Sequence, residues 1–458
     1  MPKLVLANGA LLSSSATPDT PGFDHLTPAE RSGLRRLAQR AVWCAEDGDL
    51  LVVPVHPGED FLAYATQMAG LDRSSLEVVV APFGEAGVQV PLGHGRRRPE
   101  FERRLREVAA RRGVDRLWPY FFDTSVAAFA ARLGLAEGTP GFAFMAQGGA
   151  ELLNDKATFR ALAAGVGASV PEGVVTADRG SAAEYAWDLL AGGHSAILKR
   201  TRNAGGLGNV LFSPEPGVEV VGANRHVVVD DRAALEAHLA EQWPDYTASG
   251  RHPVVIERYH PSSVPLYTGL HITDGGITPY GHGEMRMAPL LAGVVVPPQA
   301  ADHPRFPDFL AQAERIGAVV RTMGYRGRLS VDAMLTPDGR ILLNEINARA
   351  GGATHTHNLG VRVGADRHLL DGRHRPRLSL SDTLRELDVR GLAYDPKSRT
   401  GVVVTVHDAV SDPGYGELCA VSDSPQGTAE LERAAHAALA EAARSPQLPS
   451  PTAEMAAR

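Results

Sequence analysis

GYRGRLSVDAMLTPDGRILLNEINARAGG, residues 324–352, is the stretch whose reading decides the fold. Leu329 to Leu335 alternates and is apolar enough for a strand, Pro337-Asp338-Gly339 is a turn signal, and Ile341-Leu342-Leu343 opens a second strand. A β-hairpin is expected. With Asp338-Gly339 as the two central loop residues, 337 faces 340, and counting back along both arms puts Asp332 opposite Glu345. Asn347, two residues on, shares the face of Glu345. Like charges facing each other across a ladder are destabilising. An all-oxygen set of Asp332, Glu345 and Asn347 suits a hard cation, and Mg²⁺ partly held by phosphate oxygens fits best. Arg349, further along the same face, would meet the anion that such a metal holds. An ordinary surface hairpin is the plain alternative, and a one-residue change of loop length would pair Asp332 with Asn344 instead.

At 458 residues the chain has room for two or three domains with buried cores. It is 44% hydrophobic and 22% charged, an ordinary balance for a soluble globular protein. A formal net charge of −7 opposes the basic excess of a general nucleic-acid binder. Cys44 and Cys419 cannot make a disulfide framework or a four-cysteine zinc site, so both are expected as small packed residues in a reducing compartment. The opening MPKLVLANGALLSSS interrupts its apolar run at Asn8-Gly9, too early for a signal peptide, and no apolar run reaches membrane-spanning length. A cytoplasmic location is expected. Only four lysines, Lys3, Lys156, Lys199 and Lys397, stand against many arginines. Where Arg is the default cation, a retained Lys marks a need for a compact point charge.

Residues 1–150 alternate strand and helix. Strands are expected over 3–7, 49–55, 76–81 and 114–120, a helix opened by the capping box Thr27-Pro28-Ala29-Glu30 runs toward Ala45, and another covers 127–133. Repeated βα units predict an open, largely parallel sheet. No Gly-x-Gly-x-x-Gly follows the first strand, so this is not read as a dinucleotide site. The basic run HGRRRPEFERRLREVAARRG, residues 94–113, carries interleaved glutamates and almost no aromatics, which makes it a solvated helix face and not a nucleic-acid arm.

From Glu151 the texture changes. Asn154-Asp155-Lys156 caps a helix reaching about Ala164, with strands over 170–175, 196–199, 210–212 and 254–259, the last at a sheet edge. Helices are expected over 182–190 and from Asp231 to just before Pro244. Strands 266–272 and 277–287 pair around Asp274-Gly275-Gly276, a helix over 307–323 precedes the hairpin, and another follows the glycines after Arg349. Late strands cover 401–407 and 416–422, and 445–458 reads as a loose tail.

Lys199 ends an apolar strand and is followed by Gly205-Gly206-Leu207-Gly208. Glycines let backbone N–H groups approach phosphate oxygens while the lysine supplies charge, although a Gly-rich hairpin turn gives the same pattern. No Gly-x-x-x-x-Gly-Lys-Ser/Thr occurs, so this is not a P-loop, and the glycines follow the lysine where a protein kinase puts them before it. There is also no Gly-x-Ser-x-Gly elbow and no CxxC.

In order, then, the chain offers Lys156 after Asn154-Asp155, a strand-end Lys199 before a glycine loop, the strand at 254–259, Asp332, and Asn344-Glu345-Ile346-Asn347-Ala348-Arg349. Over roughly residues 150–360 this resembles the ATP-grasp ligases, and the βα region in front resembles a pre-ATP-grasp domain. The Asn-Ala-Arg-Ala-Gly-Gly-Ala-Thr-His ending looks like the pheganomycin-type peptide ligases of bacterial peptide biosynthesis. The resemblance implies a Rossmann-like pre-ATP-grasp domain over 1–150, an ATP-grasp N-terminal lobe and lid over 151–260, and a C-terminal core with the metal site over 261–444. It implies ATP as cosubstrate with Mg²⁺, or Mn²⁺ in its place. Lys156 and Lys199 would hold phosphates under a lid formed by 201–208, including Gly205, Gly206 and Gly208. Glu257 with the backbone of Arg258 and Tyr259 would bind adenine, and Met334 would pack on the purine. Asp332, Glu345 and Asn347 would hold the metal, while Arg349 and Arg286 would face the transferring phosphoryl group. Where many members place a second carboxylate for the ribose, this chain has His260-Pro261-Ser262-Ser263-Val264.

The implied activity is an ATP-dependent carboxylate–amine ligase that makes a peptide bond through an acyl phosphate, with an amino acid or peptide carboxylate as donor, an amine as acceptor, no nucleic-acid or membrane partner, and a homodimeric assembly. Two other readings fit the same residues: an ATP-binding regulatory protein without catalysis, and a ligase whose acyl phosphate meets a thiol or hydroxyl. Glu284 is a candidate base on the amine. His355 and His357 are expected to line the acceptor side of the pocket, with zinc ligation the lesser alternative.

Overall fold

The computed structural model describes residues 1–8, 28–81, 98–203, 205–411 and 414–444. Thr27 of the capping box, residues 94–97 of the basic run and the tail at 445–458 lie outside them. Among the described residues no helix is long and apolar enough to cross a membrane.

Strands β1 (Lys3–Leu6), β2 (Leu50–Val53), β3 (Glu77–Val80) and β4 (Arg116–Pro119) form a parallel sheet in the order β3-β2-β1-β4. Leu4, Leu6, Leu50 and Val52 pack to one side with residues of the helices Arg98–Arg112 and Thr124–Arg132. Val5, Leu51 and Val53 pack to the other with the helices Pro28–Val42 and Glu59–Ala69. Burial on both faces is why these strands read as short continuous apolar runs.

The second sheet contains β5 (Gly173–Thr176), β6 (Ala196–Arg200), β7 (Asn209–Ser213), β8 (Arg225–Val228) and β9 (Val254–Arg258), in the order β5-β9-β6-β7-β8. Ala196, Leu198, Val210, Phe212, Val254 and Ile256 face the helices Arg179–Ala191 and Arg232–Tyr246. Alternation therefore turns Ile197, Lys199 and Glu257 to the opposite face. Two expectations fail here. The strand at 254–259 is not at the edge; β9 is hydrogen-bonded to β5 on one side and β6 on the other. The helix also does not stop before Pro244: it runs on to Tyr246 with that residue in its final turn, which forgoes one N–H bond.

The third sheet is entirely antiparallel: β10 (Val264–Ile272), β11 (Ile277–Met287), β12 (Leu291–Val296), β13 (Gly327–Leu335), β14 (Ile341–Asn347), β15 (His368–His374), β16 (Gly401–Asp408) and β17 (Tyr415–Ser422). Their order is β14-β13-β10-β11-β12-β15-β17-β16. The helices Lys156–Gly165 and Phe306–Thr322 cover one face at the β14 end, sharing a core with β1, β2 and β4. The sequence reading missed β12, β15 and the helices Leu380–Val389 and Pro425–Ala442. Gly293 of β12 pairs with Gly372 of β15, and a glycine in mid-strand breaks the pattern that alternation would show.

Candidate active site

The hairpin carries the acidic pair, by a route the loop count did not foresee. Leu335 pairs with Ile341, Met334 with Leu342 and Ala333 with Leu343, so the loop is one residue longer than a two-residue turn. Gly339, at φ 80°, takes the left-handed position that such a loop needs. Continued unchanged, this register would pair Asp332 with Asn344 and turn Glu345 into the core. A bulge at Asn344 shifts it by one, and Asp332 pairs with Glu345, Val331 with Ile346 and Ser330 with Asn347. Leu343 and Ile346 keep to the core while Asn344 and Glu345 both line a cavity of about 550 Å³ between the second and third sheets.

Around the pair every oxygen is engaged by a specific neighbour. Asn347 Nδ2 donates to Asp332 Oδ2 at 2.9 Å and to Glu345 Oε1 at 3.3 Å. Ser330 Oγ donates to Asp332 Oδ1 at 2.7 Å, and Lys156 Nζ lies 2.7 Å from Glu345 Oε2. Arg349 donates to Asn347 Oδ1 at 2.6 Å. Burial, then the Glu345 charge, push the Asp332 carboxyl up to about 7. Burial pushes Glu345 the same way, but Lys156, Lys199 and Arg349 outweigh it and hold Glu345 below the usual carboxylate range. Two buried carboxyls paired across the hairpin, with Asn344 Oδ1 buried and unpaired on the same cavity wall among the described residues, form a donor set that fits a hard divalent cation.

Asp155 caps the helix Lys156–Gly165, accepting from the Ala157 and Thr158 amides, and so fixes where Lys156 points. Across the cavity Lys199 and Arg160 both pair with Glu257, which is 1% exposed. Arg160, one helical turn after Lys156, escaped the sequence reading. The glycine loop lies against the 219–222 segment: Asn209 Nδ2 donates to the Gly222 carbonyl at 2.7 Å, and the Tyr259 hydroxyl donates to Glu219 O at 2.7 Å. Gly205, Gly206, Arg258, Tyr259 and Met334 line the cavity, as do His260, Ser262 and Ser263 of the segment that follows β9. Gly208 is packed on Asn203 and does not line it.

Arg286 is a correction. Met285 and Met287 face the cavity; Arg286 lies between them on the opposite face of β11 and pairs with Glu432 of the helix Pro425–Ala442. Glu284 shares that face and accepts the Ala300 amide at 2.8 Å, so it is not placed as a base. His355 and His357 lie beneath the cavity wall, not on it. His357 Nε2 is 2.8 Å from the Tyr267 hydroxyl, and burial pushes its imidazole down to about 3. His355 comes within 4.8 Å of both Asp371 and Glu417, but Glu417 is already satisfied by the Arg40 guanidinium, which supplies the positive charge there. Arg36, Arg40, Asp371, Arg373 and Glu417 also line the cavity, and none of these was foreseen.

Residues 38–135 match the family model described as the pre ATP-grasp domain, and residues 382–435 match that of the PGM1 C-terminal domain. The chain is 32% identical over 159 residues to an L-propargylglycine–L-glutamate ligase of Streptantibioticus cattleyicolor; the match covers 30% of this chain and spans 33% of that protein's length. Two solved structures share the fold over nearly the whole chain. One is the biotin carboxylase domain dimer of the 2-oxoglutarate carboxylase of Hydrogenobacter thermophilus with MgADP, ADP and bicarbonate, with TM-score 0.54, 13% identity, and coverage of 94% of this chain and 89% of that one. The other is N5-carboxyaminoimidazole synthetase from Staphylococcus aureus with ADP, with TM-score 0.52, 15% identity, and coverage of 88% and 94%. Residues 38–135 are thus similar to a pre ATP-grasp domain, and the chain as a whole shares the fold of these two structures.

Proposed function

We propose that the chain is an ATP-dependent carboxylate–amine ligase that forms a peptide bond in bacterial peptide natural-product biosynthesis. The observation that carries this is the gathering of Asp332, Glu345 and Asn347 with Lys156, Lys199 and Arg349 on the wall of one cavity. A free carboxylate does not react with an amine at neutral pH, because oxide is a poor leaving group. Transfer of the γ-phosphoryl group to the carboxylate replaces oxide by phosphate, and the protein then needs alignment and charge neutralisation instead of a covalent nucleophile. Lys156, Lys199 and Arg349 supply fixed positive charge along the phosphate path, and the Gly205–Gly208 loop closes over it and excludes water. Asp332, Glu345 and Asn347 would hold Mg²⁺, or Mn²⁺, which supplies charge neutralisation at the phosphate oxygens. Glu257, locked between Lys199 and Arg160, fixes the strand whose backbone at Arg258 and Tyr259 meets the base, and Met334 covers the purine. The match to a ligase of two amino acids supports amino acids as substrates.

With ATP, Mg²⁺ and pooled amino acids and short peptides, the expected outcome is ADP, phosphate and a condensation product seen by mass spectrometry. AMP and pyrophosphate would reject the acyl-phosphate route, and ATP binding without turnover across the panel would favour the regulatory reading. Asp332→Ala and Glu345→Ala are each expected to lower turnover by about 10³-fold or more. Wild-type rates in either would remove the metal site.

A further inference from the structure

The cavity has a second charged end, away from the Asp332–Glu345 pair. Arg36 and Arg40 reach it from the helix Pro28–Val42, Asp371 and Arg373 from β15, and Glu417 from β17. Arg40 is engaged: its Nε donates to Glu417 Oε2 at 2.9 Å, and its Nη2 pairs with Oε1, which also accepts the Tyr415 hydroxyl. Arg36 and Arg373 differ. Their guanidinium carbons stand 4.8 Å and 5.8 Å from the centre of the Tyr415 ring, and among the described residues neither meets a carboxylate or a hydrogen-bond acceptor. Stacking on a ring holds a guanidinium in place and leaves its N–H donors available, which is how arginine is used to read a carboxylate. Asp371, two residues before Arg373, shares its face of β15. It is 3% exposed and, among the described residues, has no ion pair; its Oδ1 accepts from the Thr405 hydroxyl at 3.4 Å, with His355 and Glu417 each offering an atom within 4.8 Å. Burial and then Glu417 push its carboxyl up to about 8, so an arriving cation would relieve a repulsion that no resident group fully offsets.

We propose that this end of the cavity binds the amine-bearing substrate as a free α-amino acid, with its carboxylate on Arg36 and Arg373 and its amino group toward Asp371. Asp371 and Arg373 stand two residues apart on one strand face, which sets a negative and a positive group side by side for the amino and carboxylate groups of one small zwitterion. The carboxylate bound here is not the one that is phosphorylated, since the phosphate-facing set of Lys156, Lys199 and Arg349 is separate; the product keeps it as a free C-terminus. The term acceptor rests on the ligase reading; the binding itself does not.

The test is ligand-observed NMR on the intact chain with ADP and Mg²⁺, using the common amino acids, their α-carboxamides and short peptides. Free amino acids are expected to bind at least about tenfold more tightly than their carboxamides. Arg36→Gln and Arg373→Gln should each weaken that binding by about 10- to 100-fold and leave the carboxamides unchanged. Arg373 is exposed, so its variant keeps the fold, and a thermal melt checks both. The proposal is overturned if carboxamides bind as well as acids, if only peptides bind, if either variant binds acids like the wild type, or if no amino acid binds. Acid-selective binding without ADP formation on adding ATP would sink the ligase reading and leave this site standing. ADP formation with an unmoved acid preference in the variants would do the reverse.

Discussion

Asp371 and Asp332 are aspartates of ordinary sequence context whose chemistry is set by what folds around them. For Asp371 the ordinary value is 3.8, and in the folded chain burial, then Glu417, push it up to about 8, against the opposing pull of Arg40, Thr405 and Arg286. The folded state therefore holds this proton more tightly than the unfolded chain does. The stability that follows is complete below about pH 4 and is lost as pH rises through about 8. Melting temperature should fall between about pH 5 and pH 8.5, and Asp371→Asn should flatten that fall, because the amide has no proton to lose. An unchanged slope in the variant would assign the effect elsewhere. Sequence alone signalled Asp332 through its hairpin partner, but Asp371 carried no signal, since Glu417 lies on a different strand and Arg40 on a helix hundreds of residues away. Arg286 shows the opposite error: the right residue type on the right strand, one position off the face that matters.

At the scale of elements, two local devices aim the site. The bulge at Asn344 offsets a loop one residue longer than a two-residue turn, so the expected pairing of Asp332 with Glu345 holds although the expected loop does not. Counting loop residues could not reveal this; the bulge shows instead in the spacing of three between the core residues Leu343 and Ile346, with Asn344 and Glu345 between them. The glycine loop is the other device. Gly206 has φ 75°, and a Cβ there would stand 2.7 Å from the Gly222 carbonyl oxygen and 3.0 Å from Leu290 Cδ2. Gly206→Ala would strain the loop by about 1–3 kcal/mol. Its expected effect is a rise of about tenfold or more in KM for ATP with little change in melting temperature, as the loop adds little to the core. Unaltered ATP kinetics would mean that the loop does not cover the nucleotide.

On the scale of the molecule, the N-terminal sheet is not a separable module. Leu4, Leu6, Leu50 and Val52 share one core with Leu329, Val331, Leu343 and Ile346 of the hairpin, and Val5 and Leu51 share another with Val403 and Val421 of the last strands. Polar bonds reinforce the join: Gln39 exchanges hydrogen bonds with the His407 backbone at 2.7 Å and 2.9 Å, and Trp43 Nε1 donates to Thr405 O at 2.9 Å. A chain begun at residue 136 would expose both cores. It should show no cooperative thermal transition and should aggregate, whereas the intact chain melts as one unit. A soluble fragment that melts cooperatively would contradict that.

What the sequence by itself determined lies close along the chain: the hairpin, the Asp332–Glu345–Asn347 face, the helix capped at Asp155 that presents Lys156, and the strand that ends in Lys199. Strand alternation, capping and turn chemistry act over a few residues, so their signals can be read without knowing what packs where. Tertiary structure alone decided the arginine end of the cavity, the burial of His355 and His357, the Lys199–Glu257–Arg160 lock and the interior place of β9. Each depends on which distant strand lies alongside and how much water it excludes, and the strength of a buried charge follows from those neighbours.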